Sequence, residues 1–76
     1  MLYHDRIEID PTICSGKPVI RGTRILVTSI LSQLAAGESF AAILKGFPGL
    51  TDDDIKAAIE FAKESVEGTG LSGLRD

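Results

Sequence analysis

The hydrophobic period of this chain changes at Val27 from two to about 3.6 residues, which divides it into a β part and a helical part. Upstream of Val27, Ile7 and Ile9 alternate with Glu8 and Asp10 until Pro11 breaks the run. That pattern predicts a short strand over about 6–9, lying at a sheet edge. The next stretch, Gly16-Lys17-Pro18-Val19-Ile20-Arg21-Gly22-Thr23-Arg24-Ile25, sets short β-branched pairs between two glycines and a proline. It predicts a tight turn or small hairpin around Arg21-Gly22-Thr23, with Gly22 supplying the positive φ that a side chain would oppose.

Downstream of Val27 the period is helical. Ile30, Leu31, Leu34 and Ala35 form a stripe that stops at Gly37, which predicts a first helix over about 28–36 with Gly37 as its C′ residue. Ser39 is placed to cap a second helix whose Phe40, Ile43, Leu44 and Phe47 repeat at i, i+3, i+4 and i+7, ended by Pro48-Gly49. The third helix has the clearest start. Thr51 and Asp54 make a capping box with Asp in the usual Glu/Gln position, and Leu50 and Ile55 are spaced as a hydrophobic staple. On this helix Ile55, Ala58, Ile59, Ala62 and Val66 form an apolar stripe, opposite Lys56, Glu60, Lys63, Glu64 and Glu67. Phe61 falls off that stripe, toward solvent or a neighbour.

Three short helices with tight connections, preceded by a two- or three-stranded piece, are the layout of a mostly α helix-turn-helix domain with a short N-terminal β-element. Residues 1–67 make this single domain. The segment 68–76 carries three glycines, Gly68, Gly70 and Gly73, and Leu71 and Leu74 without a period, and is expected to be a flexible tail. A 76-residue chain buries only roughly 60% of the surface its unfolded form exposes. One cysteine and one histidine leave no disulfide or zinc staple to supplement the core, so a homodimer is expected. With neither a basic-plus-apolar leader nor 18 consecutive apolar residues, the expectation is a cytoplasmic protein with no membrane partner.

The formal net charge of −3 argues against a nucleic-acid partner only as a total. Residues 11–37 hold Lys17, Arg21 and Arg24 and no acid, giving +3, whereas residues 38–76 hold eight acids and four bases. Two readings of this segregation stand side by side: a phosphate-facing patch, or neutralisation between the two halves within the fold or across a dimer. For Arg24 the second reading takes the form of an ion pair with an acid such as Asp54.

The run Ile9-Asp10-Pro11, then Ile13, Gly16-Lys17-Pro18-Val19-Ile20, Gly22-Thr23-Arg24-Ile25 and Val27, resembles the prokaryotic family known as domain of unknown function 433. So do Leu34-Ala35-Ala36-Gly37, Phe47-Pro48, Leu50-Thr51, Asp54-Ile55 and Ala57-Ala58; the resemblance extends over about 6–66. It departs at Leu26, where proline is often expected, and at Cys14-Ser15, where a plainer polar or glycine pair is common. The resemblance implies a homeodomain-like or winged-helix-like fold. It also implies the antitoxin of a toxin–antitoxin pair whose toxin resembles a PIN-like ribonuclease.

Taken with the charge map, these readings divide the molecule. Lys17, Arg21 and Arg24 flank turn glycines, where their heads and nearby backbone N–H groups are placed to meet phosphate oxygens of operator DNA. The start of the third helix, Thr51-Asp52-Asp53-Asp54, would repel DNA if it entered a groove as recognition helices ordinarily do; these acids suit helix capping instead. The acidic helical side, with Phe61, Leu71 and Leu74, would face the toxin. The alternative is a protein-interaction module with no DNA binding. No enzyme, metal or cofactor is expected. Gly16-Lys17-Pro18 lacks the first glycine and the Ser/Thr of a phosphate loop, Cys14 and His4 make no convincing nucleophilic pair, and the acids lack the spacing of an acid–base pair. Cys14 is expected to be a small buried hydrophobe.

Overall fold

The computed structural model describes residues 2–68. Three short strands precede three helices: β1 (Leu2–His4), β2 (Ile7–Glu8), β3 (Val19–Ile20), α1 (Val27–Ala35), α2 (Phe40–Gly46) and α3 (Asp52–Glu67). The strands form one antiparallel sheet in the order β1-β2-β3, with Ile7 opposite Ile20 and Glu8 opposite Val19. The strand expected at the edge is therefore the central one, because β1 pairs along its other side with an irregular register. That placement explains the complete burial of Ile7.

Local chemistry sets the connections. Thr23 N–H donates to the Ile20 carbonyl at 3.0 Å, and Gly22 sits at the third turn position with φ +79°. Because Arg21 is not left-handed, this is a type II turn, the geometry that reserves its third position for glycine. The Thr23 hydroxyl tightens it, donating to the Ile20 carbonyl at 2.7 Å and accepting from Ile25 N–H at 2.9 Å. Val27 N–H then donates to the Pro18 carbonyl, so the chain leaves the sheet directly into α1. At the other end of α1, Gly37 N–H reaches the Leu34 carbonyl and Glu38 N–H the Gln33 carbonyl, the paired bonds of a Schellman stop. The Ser39 hydroxyl accepts from Ala42 N–H and caps α2. A Phe47-Pro48-Gly49-Leu50 turn, closed by Leu50 N–H on the Phe47 carbonyl, carries the chain into α3.

The core is one cluster: Ile7 and Ile20 from the sheet, Val27 and Ile30 from α1, Ile43 from α2, Leu50, and Ile55, Ala57 and Ala58 from α3. Leu50 and Ile55 are both buried, as their staple spacing requires. The buried face of α3 differs from the stripe read along the sequence. Asp54, Ile55, Ala57 and Ala58 are buried and Phe61 packs half-buried against the core, whereas Ile59 and Val66 are 41% and 52% exposed. At 100° per residue the helix is turned by roughly 80° from the expected orientation. Of the two directions read for Phe61, solvent or a neighbouring element, the structure has the second.

Candidate nucleic-acid interface

The three cations singled out in the sequence, Lys17, Arg21 and Arg24, lie between β2 and α1, Lys17 before β3 and the two arginines after it, and all three are exposed. Among the described residues no acid lies within ion-pair distance of any of them. Arg21 stands at the second position of the Ile20–Thr23 turn, and its N–H donates to the Arg6 carbonyl at 2.8 Å, which ties the turn to the β1–β2 hairpin. Lys17 follows a left-handed stretch, Cys14 (φ 49°), Ser15 (φ 59°) and Gly16 (φ 82°). Cys14 and Ser15 thus occupy backbone positions that favour glycine, the positions where this chain departs from the pattern it resembles. Cys14 is half-buried rather than buried, with its thiol 3.8 Å from the Arg24 carbonyl.

The turn separates two of the cations. Arg24 borders a shallow hollow of about 350 Å³ with Glu8, Ile13, Gly22 and Thr23. Arg21 borders another, of about 270 Å³, with Asp5, Arg6, Thr23, Thr51 and Asp54 among its walls. Lys17 lines neither. The sequence sum of +3 over residues 11–37 is therefore diluted in space, because Asp5, Glu8 and Asp54 arrive from other segments. One cation is added in exchange: Arg6, beside Arg21.

Arg6 also answers the question of where the α3 acids point. Its Nη1 lies 3.0 Å from Asp54 Oδ1 and its Nη2 3.6 Å from Asp53 Oδ2. The reading that pairs Arg24 with Asp54 is thus replaced by a pairing with Arg6, which sits in the β1–β2 turn next to β2, the strand that lies against α3. Asp54 uses its second oxygen to accept from Thr51 N–H at 3.0 Å, and Thr51 Oγ1 accepts from Asp54 N–H at 3.2 Å. The capping box is complete, and its carboxylate doubles as the anchor for the β-element. Sequence reasoning missed Arg6 because its partners stand 47 and 48 positions away. Its only local signal is to be the sole cation among three acids in residues 1–10.

Near the basic segment, Asp10 Oδ1 accepts from both the N–H and the hydroxyl of Thr12, at 2.8 and 2.7 Å. These bonds, the backbone one foremost, hold its carboxyl below the ordinary value of 3.8. Leu71 and Leu74, proposed from the sequence as partner contacts, lie outside the described residues. No described helix is long and apolar enough to cross a membrane.

Comparison with known proteins agrees with this architecture. A crystal structure of a DUF433 member protein from Anabaena variabilis ATCC 29413, at 2.00 Å resolution, aligns with a TM-score of 0.77 and 33% sequence identity, covering 84% of this chain and 63% of that one. An uncharacterized protein, y4eO, of Sinorhizobium fredii (strain NBRC 101917 / NGR234) is 38% identical over 69 residues, which are 91% of this chain and 29% of the relative. The chain thus spans less than a third of the curated relative it matches. Residues 7–62, the segment from the central strand through Ala62 of α3, match the family model described as protein of unknown function (DUF433), and the chain belongs to that family.

Proposed function

We propose that this chain is a non-catalytic antitoxin of a type II toxin–antitoxin pair, acting as a cytoplasmic homodimer that binds operator DNA through the segment bearing Lys17, Arg21 and Arg24. The observation that carries the reading is the exposure of all three cations, none of them paired to an acid among the described residues, around a turn tied to the β1–β2 hairpin through Arg21 N–H. Such heads contact phosphate oxygens without first breaking an internal ion pair. The acids that begin α3 have a different occupation: Asp53 and Asp54 hold Arg6, and Asp54 caps the helix. The start of α3 therefore does not enter a groove, and the acidic side of the helix faces a basic toxin of the PIN-like ribonuclease class, joined by the segment carrying Leu71 and Leu74.

Three phosphate contacts per protomer give six in a dimer, and log K then falls with log salt with a slope of about −5. A salt-titrated mobility-shift assay on the chain's own upstream DNA tests this. Wild type shifts the DNA at low salt with that slope, and the variant with Lys17, Arg21 and Arg24 all changed to Ala shifts nothing. The placement of Asp5, Glu8 and Asp54 around Arg21 and Arg24 favours a second reading, a protein-interaction module whose basic segment only balances charge. Absence of any shift by wild type at about 50 mM salt selects that reading.

A further inference from the structure

Beside the buried face of α3, Ile59 and Val66 stand exposed with half-buried Ala62 between them. Ile59 and Val66 are separated by seven residues, so they stand almost in line along the helix, and Ala62 fills the same ridge one turn from each. One flank of the ridge is charged throughout. At 100° per residue Lys56, Glu60, Lys63 and Glu67 fall in a band beside it, all exposed, and Lys63 lies 3.8 Å from Glu60 and 4.0 Å from Glu67.

The order of these charges selects the occupant. Read from the helix start the flank is plus, minus, plus, minus; read from the other end it is minus, plus, minus, plus. The positions pair about one centre, because 56 lies as far before the midpoint of residues 61 and 62 as 67 lies after it, and 60 as far before it as 63 after it. A second copy of α3 laid antiparallel across the ridge, on a two-fold axis at that midpoint, sets each Lys56 beside a Glu67 and each Glu60 beside a Lys63. A parallel copy would carry the two charged flanks to opposite sides of the contact, where they could not pair. Ala62 lies near the axis, where a small side chain lets two helices approach closely, and the apolar ends of the ridge cover one another.

We infer that this ridge is a self-association surface, joining two copies of the chain through antiparallel α3 helices in an isologous contact. The inference deepens the homodimer assumed in the proposed function. The overlap from Lys56 to Glu67 is about 16 Å long, and Asp52 and Asp53 lie outside it. A contact this short buries less than the ~800 Å² per partner of a standard interface, so the association is weak, with a dissociation constant of about 10–100 μM.

The test uses sedimentation equilibrium of the full chain, without DNA or toxin, so that this inference and the proposed function fail separately. Wild type dimerises over the micromolar range and less so at about 500 mM salt. The variant K56E/K63E, with an all-acidic flank, and the variant E60K/E67K, with an all-basic one, are each monomeric, and an equimolar mixture restores the dimer. The fourfold exchange K56E/E60K/K63E/E67K, which keeps the alternation, dimerises like wild type. Val66→Ser, a change at an exposed position, weakens association at least about tenfold while leaving the far-UV spectrum unchanged. A wild type that stays monomeric to about 1 mM overturns the inference. So does self-association of the two like-charged variants at wild-type strength, a mixture that does not recover, or a dimer indifferent to Val66→Ser.

Discussion

Removing the Asp54 carboxylate tests whether one side chain both starts α3 and holds the β-element to it. Asp54 is 7% exposed, and its two oxygens are divided between Thr51 N–H and the Arg6 guanidinium. Loss of an N-terminal capping interaction costs about 1 kcal/mol. The ion pair adds about 1 kcal/mol or less, because the Arg6 side chain is 43% exposed and water screens its end of the pair. Asp54→Ala is therefore expected to destabilise the domain by about 2 kcal/mol, which lowers the midpoint of thermal unfolding by roughly 8–16 °C in a chain of this size. Asp54→Asn keeps an acceptor for Thr51 N–H and loses the charge, so it falls between Asp54→Ala and wild type. Urea unfolding of wild type, Arg6→Ala, Asp54→Ala and the double variant gives the coupling directly, with about 1 kcal/mol expected between the two sites. The reasoning is refuted if Asp54→Ala costs less than about 0.5 kcal/mol, or if the two single changes simply add.

Two further outcomes follow from backbone and side-chain geometry. Leu26 precedes α1 at φ −70° and ψ 137°, and its N–H donates no hydrogen bond among the described residues; Val27 N–H donates to the Pro18 carbonyl at 3.0 Å. Leu26→Pro is thus expected to leave the melting temperature within a few degrees of wild type, whereas Val27→Pro removes a buried side chain and a ladder bond and costs about 3 kcal/mol, read in the same scan. For Asp10, NMR titration is expected to show a carboxyl pKa below 3.8 that rises in Thr12→Val, which keeps the backbone bond and removes the hydroxyl. Since the folded value is the depressed one, the contribution of this turn to stability is present above the ordinary carboxylate range and fades as pH falls through the folded value. A Thr12→Val chain with an unchanged Asp10 titration would contradict that origin.

The features whose causes lie within a few residues are legible in the order of the residues alone. The type II turn follows from Gly22 two residues after Ile20, the Schellman stop from Gly37, the α2 cap from Ser39, and the box and staple of α3 from Thr51, Asp54, Leu50 and Ile55. Each is a hydrogen bond or contact spanning three to five positions, so the local order of residues suffices to specify it. The family pattern was legible for the same reason, being an ordered series of such local devices. Which face of α3 is buried, where Arg6 points and how the basic segment is divided depend instead on contacts between whole elements. Helical period alone allows Ile59 and Val66 to be core residues; docking of the sheet through Arg6 onto Asp53 and Asp54 instead turns Asp54, Ala57 and Phe61 inward and leaves the Ile59–Val66 ridge outside. A charge sum over residues 11–37 places Lys17, Arg21 and Arg24 in one patch, but the turn at Gly22 sets Arg21 and Arg24 in neighbouring hollows and brings in acids from residues 5, 8 and 54. These are contacts across up to 48 positions, where the partner is chosen by the packing of whole elements and not by spacing along the chain.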